Sequence, residues 1–370
     1  MKFKISRAAF QDVLSKAMNT VPSKATMQIL SNVMMTVTDD GKLNVVATNL
    51  DQTIVSETNC EVEENGTTTL PAKLLFGVVQ KLGEGTVSLD VDHSDRAVIS
   101  CGTSMFKISG MRSEDFPKLP EVSDEKKVFT VPQASLKSML KKTSYAACVD
   151  ETRRSLAGIC LAFNGGVMSM IATDGRRLAL TEENVENAPS DTAEFILPKP
   201  TAKELMRLLG TEGNVSIYHV SSQVFFEMED GTKVVTKVVD EKYPPARNVI
   251  PDTDSGYDCV DIDRQTMLNA IDRVSVFMDD TNPNVLLSFR QNELVLVAKS
   301  SSSDYDARDS FPIKYDGANV DIRFNPAFIL DLLKNISDDD VHFHVLDGAH
   351  PAVVKADGTY ISVLMPLRGI

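Results

Sequence analysis

His342 and His344 alternate along Val341-His342-Phe343-His344-Val345. That spacing puts two imidazoles on one face of a strand, as some metal sites require. A third ligand is not evident near them in the sequence, so the pair reads as sheet-face histidines. Asp174-Gly175 offers a carboxylate that could act as a catalytic acid, but the dipeptide reads better as a β-turn. The five cysteines, Cys60, Cys101, Cys148, Cys160 and Cys259, are scattered, odd in number and without a C-x-x-C. Such a set points to buried thiols in a reducing compartment and away from zinc. No P-loop, G-x-S-x-G or G-x-G-x-x-G occurs. A three-domain hydrolase would need an acid pair in a cleft, and none stands out. The expectation is a chain with no catalytic residues, no cofactor and no metal.

The residues that suggest a function are instead the bases. The chain carries a net charge of −14, which taken alone argues against nucleic acid. Hydrophobic periodicity predicts six amphipathic helices, at 6–18, 72–82, 133–143, 199–209, 264–274 and 326–336. Thirteen bases against four acids give these helices +9, leaving −23 for the rest of the chain. With apolar faces turned into a core, the bases are expected to point away from it. Lysine is common on solvated helix faces, but a contrast of this size reads as one positive surface on an acidic particle. Such a surface can attract phosphates without reading bases.

The elements that would position those bases come in three tandem copies. Ala47, Ala172 and Ala298 end equivalent apolar runs, 125 and 126 residues apart. Pro71, Pro198 and Pro326 open equivalent helices, and Val87, Val215 and Val341 start equivalent strands. A period of this length means repeated whole domains. In the second helix of the outer copies, Leu74, Leu75, Val78, Val79 and Leu82 match Phe328, Ile329, Leu332, Leu333 and Ile336, and the pattern reads as one core-facing stripe. Hairpin signals lie at Asp40-Gly41, Asn65-Gly66, Gly165-Gly166, Asp230-Gly231 and Asp357-Gly358. The fold class expected is α+β, each copy having two helices packed on antiparallel sheets, with domains at 1–122, 128–252 and 257–370. Proline-rich connectors, among them Phe116-Pro117-Lys118-Leu119-Pro120 and the charged run that follows, mark the boundaries.

An apolar content of 42% and a charged content of 24% describe an ordinary soluble protein. No run approaches the ~18 apolar residues of a membrane span. Met1-Lys2-Phe3-Lys4-Ile5 reads as a strand rather than a signal peptide, so a cytoplasmic location is expected. Helices are ~10 Å wide, so six in a ring leave a lumen of about 9 Å and twelve leave about 28 Å. Only the larger hole admits a duplex, so if the helices line a hole, two chains must close it head to tail.

The chain resembles the bacterial sliding clamp, the β subunit of the replicative DNA polymerase, over essentially its whole length. The resemblance rests on Ala172-Thr173-Asp174-Gly175-Arg176-Arg177-Leu178-Ala179, Leu205-Met206-Arg207-Leu208-Leu209, Asp115-Phe116-Pro117, Phe324-Asn325 and Met365-Pro366-Leu367-Arg368, in order on the threefold repeat. It implies a ring-shaped homodimer that encircles double-stranded DNA without sequence preference. It implies no catalysis, and partners that include the replicative polymerase, the clamp loader and repair polymerases, all docking through short peptide motifs. The family's peptide pocket maps onto Leu156, Thr173, Gly175, Arg177, Leu178, Pro244, Val249, Phe328, Val363, Leu364, Met365 and Pro366, with Leu367 and Arg368 at the rim. Methionine suits a pocket that takes varied ligands. The DNA-facing positions fall on Lys24, Lys137, Lys141, Arg153, Arg154, Lys199, Lys203 and Arg207. The dimer seam falls on Lys73, Phe106 and Ile108 from the first copy and Val276, Phe277, Asp304 and Asp306 from the third. Arg176, Asn248 and Asn282 depart from residues common in the family, and Gly369-Ile370 extends past its usual end. A peptide-binding scaffold that does not encircle DNA is the alternative, and the charge concentrated on the helices argues against it.

Overall fold

The computed structural model describes residues 1–118, 127–185, 192–278, 283–299, 306–356 and 358–368, with backbone only at 127 and 128. The connector at 119–126, Asn282, Asp304, Asp357 and the Gly369-Ile370 extension lie outside the described residues. The chain packs as two compact units, 1–134 with 207–238 and 135–206 with 239–370. The middle copy of the repeat therefore contributes to both.

Six α-helices form where the periodicity places them, each end within one residue: α1 (Arg7–Met18), α2 (Ala72–Lys81), α3 (Gln133–Ser144), α4 (Lys199–Leu208), α5 (Arg264–Ser275) and α6 (Pro326–Asn335). Local chemistry sets their starts. Ser6 accepts the Ala9 N–H at 3.2 Å, Asp263 that of Thr266 at 2.7 Å and Asn325 that of Ala327 at 2.9 Å, each satisfying a donor the helix leaves open. Pro326 is the first residue of α6, but Pro71 and Pro198 end the preceding strands. The first residue of each copy's first helix also ties down the end of its second. Arg7 donates to the Val79 and Gln80 carbonyls, Arg264 to the Leu333 and Asp338 carbonyls, and Gln133 accepts the Gly210 N–H. A guanidinium at a helix C-terminus also meets the negative end of the dipole.

The repeat is visible residue by residue. Ala47, Ala172 and Ala298 are each the penultimate residue of a strand, and Val87, Val215 and Val341 each the second. All six are fully buried. The predicted helix stripe is too wide, however. Neighbouring residues on a helix diverge by about 100°, so the core takes Leu75, Val79 and Leu82 and leaves Leu74 54% exposed. Its counterpart Phe328 is half-buried. Asn65-Gly66 is not a hairpin either. The strand Glu61–Glu64 pairs with Lys2–Ser6, and Gly66–Pro71 pairs with Asn32–Val37, so this turn passes the chain between two sheets. Among the cysteines Cys148 and Cys160 are buried, but Cys259 is exposed.

Successive copies join by edge-strand pairing. In the first unit Lys233–Lys237 pairs with Gln52–Asn59, with Thr236 opposite Gln52 and Lys233 opposite Val55. In the second unit Tyr360–Leu364 pairs with Arg177–Asn184, with Leu364 opposite Arg177 and Ile361 opposite Leu180. Moving the first ladder by 125 residues on one strand and 128 on the other reproduces the second. Each junction makes an eight-stranded sheet among the described residues. Two strands of the same two kinds remain at sheet ends, Ser104–Ser109 in the first copy and Asp306–Pro312 in the third.

Candidate peptide-binding site and charged surfaces

The strands Val167–Thr173 and Arg177–Asn184 form a hairpin closed by Asp174-Gly175-Arg176. One Asp174 carboxylate oxygen accepts the N–H groups of Arg176 at 2.8 Å and Arg177 at 3.0 Å, the Asx-turn role expected of it in place of acid catalysis. Thr173 accepts the Gly175 N–H at 3.0 Å and donates to the Arg177 carbonyl at 2.6 Å. Gly175 has φ +87°, and a Cβ there would lie 3.2 Å from the Arg153 guanidinium. Both constraints favour glycine.

Arg177 leaves this hairpin inward and is 8% exposed. Its Nε donates to Asp174 at 3.1 Å, one terminal nitrogen to Asp331 of α6 at 2.7 Å and the other to the Tyr145 carbonyl at 2.8 Å. The guanidinium plane lies over Phe328 at 4.6 Å and Tyr145 at 5.4 Å. A cation this buried persists because every direction around it is paired or stacked. The Tyr145 hydroxyl meets that of Tyr360 at 2.6 Å and Ser362 at 3.3 Å, and Ser362 donates to the Leu178 carbonyl at 2.9 Å. Burial pushes both tyrosine hydroxyls up, so they stay neutral hydrogen-bonding groups.

An apolar cluster forms the floor beside this arginine. Cys160, Ile171, Leu178, Leu180, Tyr243, Ala246 and Val363 are buried in it, and Leu156 packs on it half-buried. Val363 lies opposite Leu178 in the ladder. Beyond the last strand the tail is held by its backbone, the Met365 N–H donating to the Arg176 carbonyl at 3.0 Å and that of Leu367 to the Arg323 carbonyl at 2.8 Å. Backbone tethering leaves side chains free to face outward: Met365 is 38% exposed and Val249 61%, and Pro244 is exposed too. The pocket residues inferred from sequence thus separate into three groups. Leu156, Thr173, Gly175, Pro244, Val249, Phe328, Met365 and Leu367 present accessible surface, and Arg368 is exposed. Arg177, Leu178, Val363 and Pro366 are buried supports. Leu364 is fully buried, so the structure assigns it to the sheet core instead of the pocket surface. Tyr145, Tyr243, Asp331, Tyr360 and Ser362 also build the site, and nothing local in the sequence ties them to Arg177.

The bases also divide. Lys24, Lys141, Arg154 and Lys203 are exposed, and Lys137 is half-buried. Arg207 is exposed and donates to the Lys16 carbonyl at 2.6 Å. Arg153 donates to the Asp174 carbonyl at 2.9 Å, which places it against the pocket turn. Lys199 does not behave as a free surface cation. It donates to the Ala147 carbonyl at 3.0 Å, and burial, with Arg177 adding its repulsion, lowers its pKa. Lys142, one of the thirteen helix bases expected to point outward, is 6% exposed. Arg7 and Arg264 are occupied with helix ends.

Apolar side chains are exposed on the first end strand and just after α5. Met105 is 65% exposed, Phe106 37%, Val276 79% and Phe277 44%, and Lys73 and Asp306 are exposed as well. Ile108 shares the Phe106 face but is 5% exposed, packed in the first copy's core, so it is a core residue in place of a surface one. Asp309 is paired with Arg273 at 2.6 Å. Among the described residues, no helix is long and apolar enough to cross a membrane.

Three tandem copies of a two-helix clamp domain, joined by edge strands, define the class to which this fold belongs. Models of the DNA polymerase III beta subunit match the chain throughout, the N-terminal domain at residues 1–120, the central domain at 130–245 and the C-terminal domain at 247–368. The chain therefore belongs to the DNA polymerase III beta subunit family. It is 30% identical to the beta sliding clamp of Chlamydia pneumoniae, covering all of this chain and 99% of that one. It is also 30% identical to the beta sliding clamp of Caulobacter vibrioides, over the full length of both. Among solved structures, the Pseudomonas aeruginosa sliding clamp superposes with a TM-score of 0.92 at 28% identity, over all of both chains. The Bartonella birtlesii sliding clamp bound to griselimycin gives 0.92 at 29%, again over all of both.

Proposed function

We propose that this chain is a sliding clamp, in which two copies close head to tail into a ring around double-stranded DNA. The observation that carries the reading is the repeated edge pairing. Two of the three junctions the repeat permits are made within one chain, in identical register. The strands left over, Ser104–Ser109 and Asp306–Pro312, are the two kinds that pair elsewhere. Continuing the same register sets Arg308 of one copy opposite Met105 of the next, and Asp306 opposite Lys107. Exposed apolar side chains at an open sheet edge are a liability unless another strand covers them. Here Met105, Phe106, Val276 and Phe277 gain cover, with Lys73 and Asp306 supplying charges of opposite sign.

The domains are 1–122, 128–252 and 257–370. Lys24, Lys137, Lys141, Arg154, Lys203 and Arg207 attract phosphates loosely, which holds a duplex while allowing movement along it. The ring carries no chemistry of its own. It works in the cytoplasm and tethers the replicative polymerase, clamp loader and repair polymerases, whose short peptides lay apolar side chains on Leu156, Val249, Phe328 and Met365. The test is primer extension by the replicative polymerase under single-encounter conditions. Products lengthen when this chain and a clamp loader are added. Unchanged product length with loader and ATP present rejects the proposal.

A further inference from the structure

Cys259 is the one exposed thiol of the five. It lies on the strand Asp258–Asp263, at the edge of its sheet, which pairs antiparallel with Asp340–Val345. In that ladder Cys259 stands opposite His344 and Asp261 opposite His342. Alternate residues share a face, so these four side chains stand together on the outer side. Val260, Ile262, Val341, Phe343 and Val345 fill the inner side and are buried. The ligand atoms of Cys259, Asp261 and His342 all lie within 4.8 Å of one another. His342 Nδ1 is 2.6 Å from an Asp261 carboxylate oxygen, and the Cys259 sulfur is 3.8 Å from His344 Nε2.

We propose that Cys259, Asp261, His342 and His344 form a binding site for a divalent transition metal of the zinc class. Bonds of about 2.3 Å to sulfur and about 2.1 Å to nitrogen or oxygen put tetrahedral ligand atoms about 3.4–3.6 Å apart. The sulfur–imidazole distance is already near that value, and side-chain rotation opens the 2.6 Å His342–Asp261 contact and brings the remaining spacings to it. The donor set of one thiolate, one carboxylate and two imidazoles suits zinc and disfavours magnesium or calcium. It also balances charge: two anionic ligands and two neutral ones neutralise a dication. On binding, the metal takes the sulfur lone pair, the thiol proton leaves to solvent, and the His342–Asp261 hydrogen bond is exchanged for two metal bonds. Lys355, opposite His342 on the next strand, is the opposing charge, and its ammonium donates to Thr253 at 2.6 Å. The bound ion fastens an edge strand to its neighbour.

The site is independent of the clamp reading, and so is its test. Metal-free, tag-free full-length chain is titrated with Co2+ and then Zn2+. One Co2+ per chain is expected, with a near-ultraviolet thiolate-to-cobalt band and the visible bands of tetrahedral cobalt, both removed by Zn2+. Cys259→Ser abolishes the near-ultraviolet band, and His342→Ala weakens binding by about tenfold or more. Asp261→Asn, which keeps the sulfur ligand, weakens binding likewise and serves should the serine variant fail to fold. Absence of the band in the wild-type chain, its persistence in Cys259→Ser, or unchanged affinity in both His342→Ala and Asp261→Asn overturns the proposal.

Discussion

The Arg177 guanidinium lies 4.6 Å over the Phe328 ring while donating to Asp331, one turn further along α6. A strand of the middle copy thereby fixes a helix of the third, and fixes it beside the apolar floor where a peptide is proposed to dock. The wall exists before any ligand arrives, so a ligand need not supply the entropy of ordering it.

Replacing Arg177 with alanine strands Asp174 and Asp331 and uncovers Phe328. The expected loss is about 2–4 kcal/mol in urea unfolding, below the fully buried case because Asp331 is 45% exposed. Arg177→Lys restores less than half of it, since an ammonium cannot reach three acceptors and stack on a ring. Equal stability of the arginine and lysine forms contradicts the role assigned to the planar group.

The tail separates surface from core in adjacent residues. Met365→Ala and Phe328→Ala are expected to weaken binding of a polymerase-derived peptide by about 2 kcal/mol each, roughly 30-fold, measured by fluorescence anisotropy. Stability should barely change for Met365→Ala. Leu364→Ala is expected to cost about 2–5 kcal/mol of stability, because the side chain is fully buried. A peptide affinity that falls with Leu364 and ignores Met365 would reverse the assignment.

These two neighbours show where the sequence is legible and where it stops. Periodicity places all six helices, because the 3.6-residue repeat is a local property. It cannot decide between Leu74 and Leu75, adjacent apolar residues of which only one fits beneath the helix. Turn chemistry identifies the Asp174 hairpin from its own residues, but Asn65-Gly66 looks identical to a hairpin signal and differs only in which strands pair. Charge counting finds the bases and misses that Lys142 is buried and that Lys199 is drawn to the Ala147 carbonyl. Ile108 alternates correctly with Phe106, and burial then separates them. His342 and His344 lack a third ligand in the sequence because Cys259 and Asp261 come from a strand 81 residues or more away.

The seam makes a register prediction. In the double variant Met105→Cys with Arg308→Cys, mild oxidation should link two copies covalently, because directly opposed residues bring their Cα atoms to about 4.5–5.5 Å, within the reach of a disulfide. Neither single variant should link. A dimer that forms normally yet gives no crosslink beyond that of the single variants would show a different pairing.

The cationic surface predicts a salt dependence. Lys137→Ala, Lys141→Ala and Lys203→Ala together should lower the slope of log affinity for DNA against log salt by up to about 3, close to one for each phosphate no longer neutralised. Lys199→Ala, whose ammonium is already held by the Ala147 carbonyl, should leave it nearly unchanged. A slope that responds only to Lys199 contradicts the placement.

The sharpest test asks whether the protein is linked to DNA by topology. It is loaded onto a nicked circular duplex with a clamp loader, isolated by gel filtration, and the circle is then cut once. A ring is retained on the closed circle and lost within minutes of linearisation, as it slides off the new ends. Equal retention on circle and line, or no retention on either with active loader, would contradict the account.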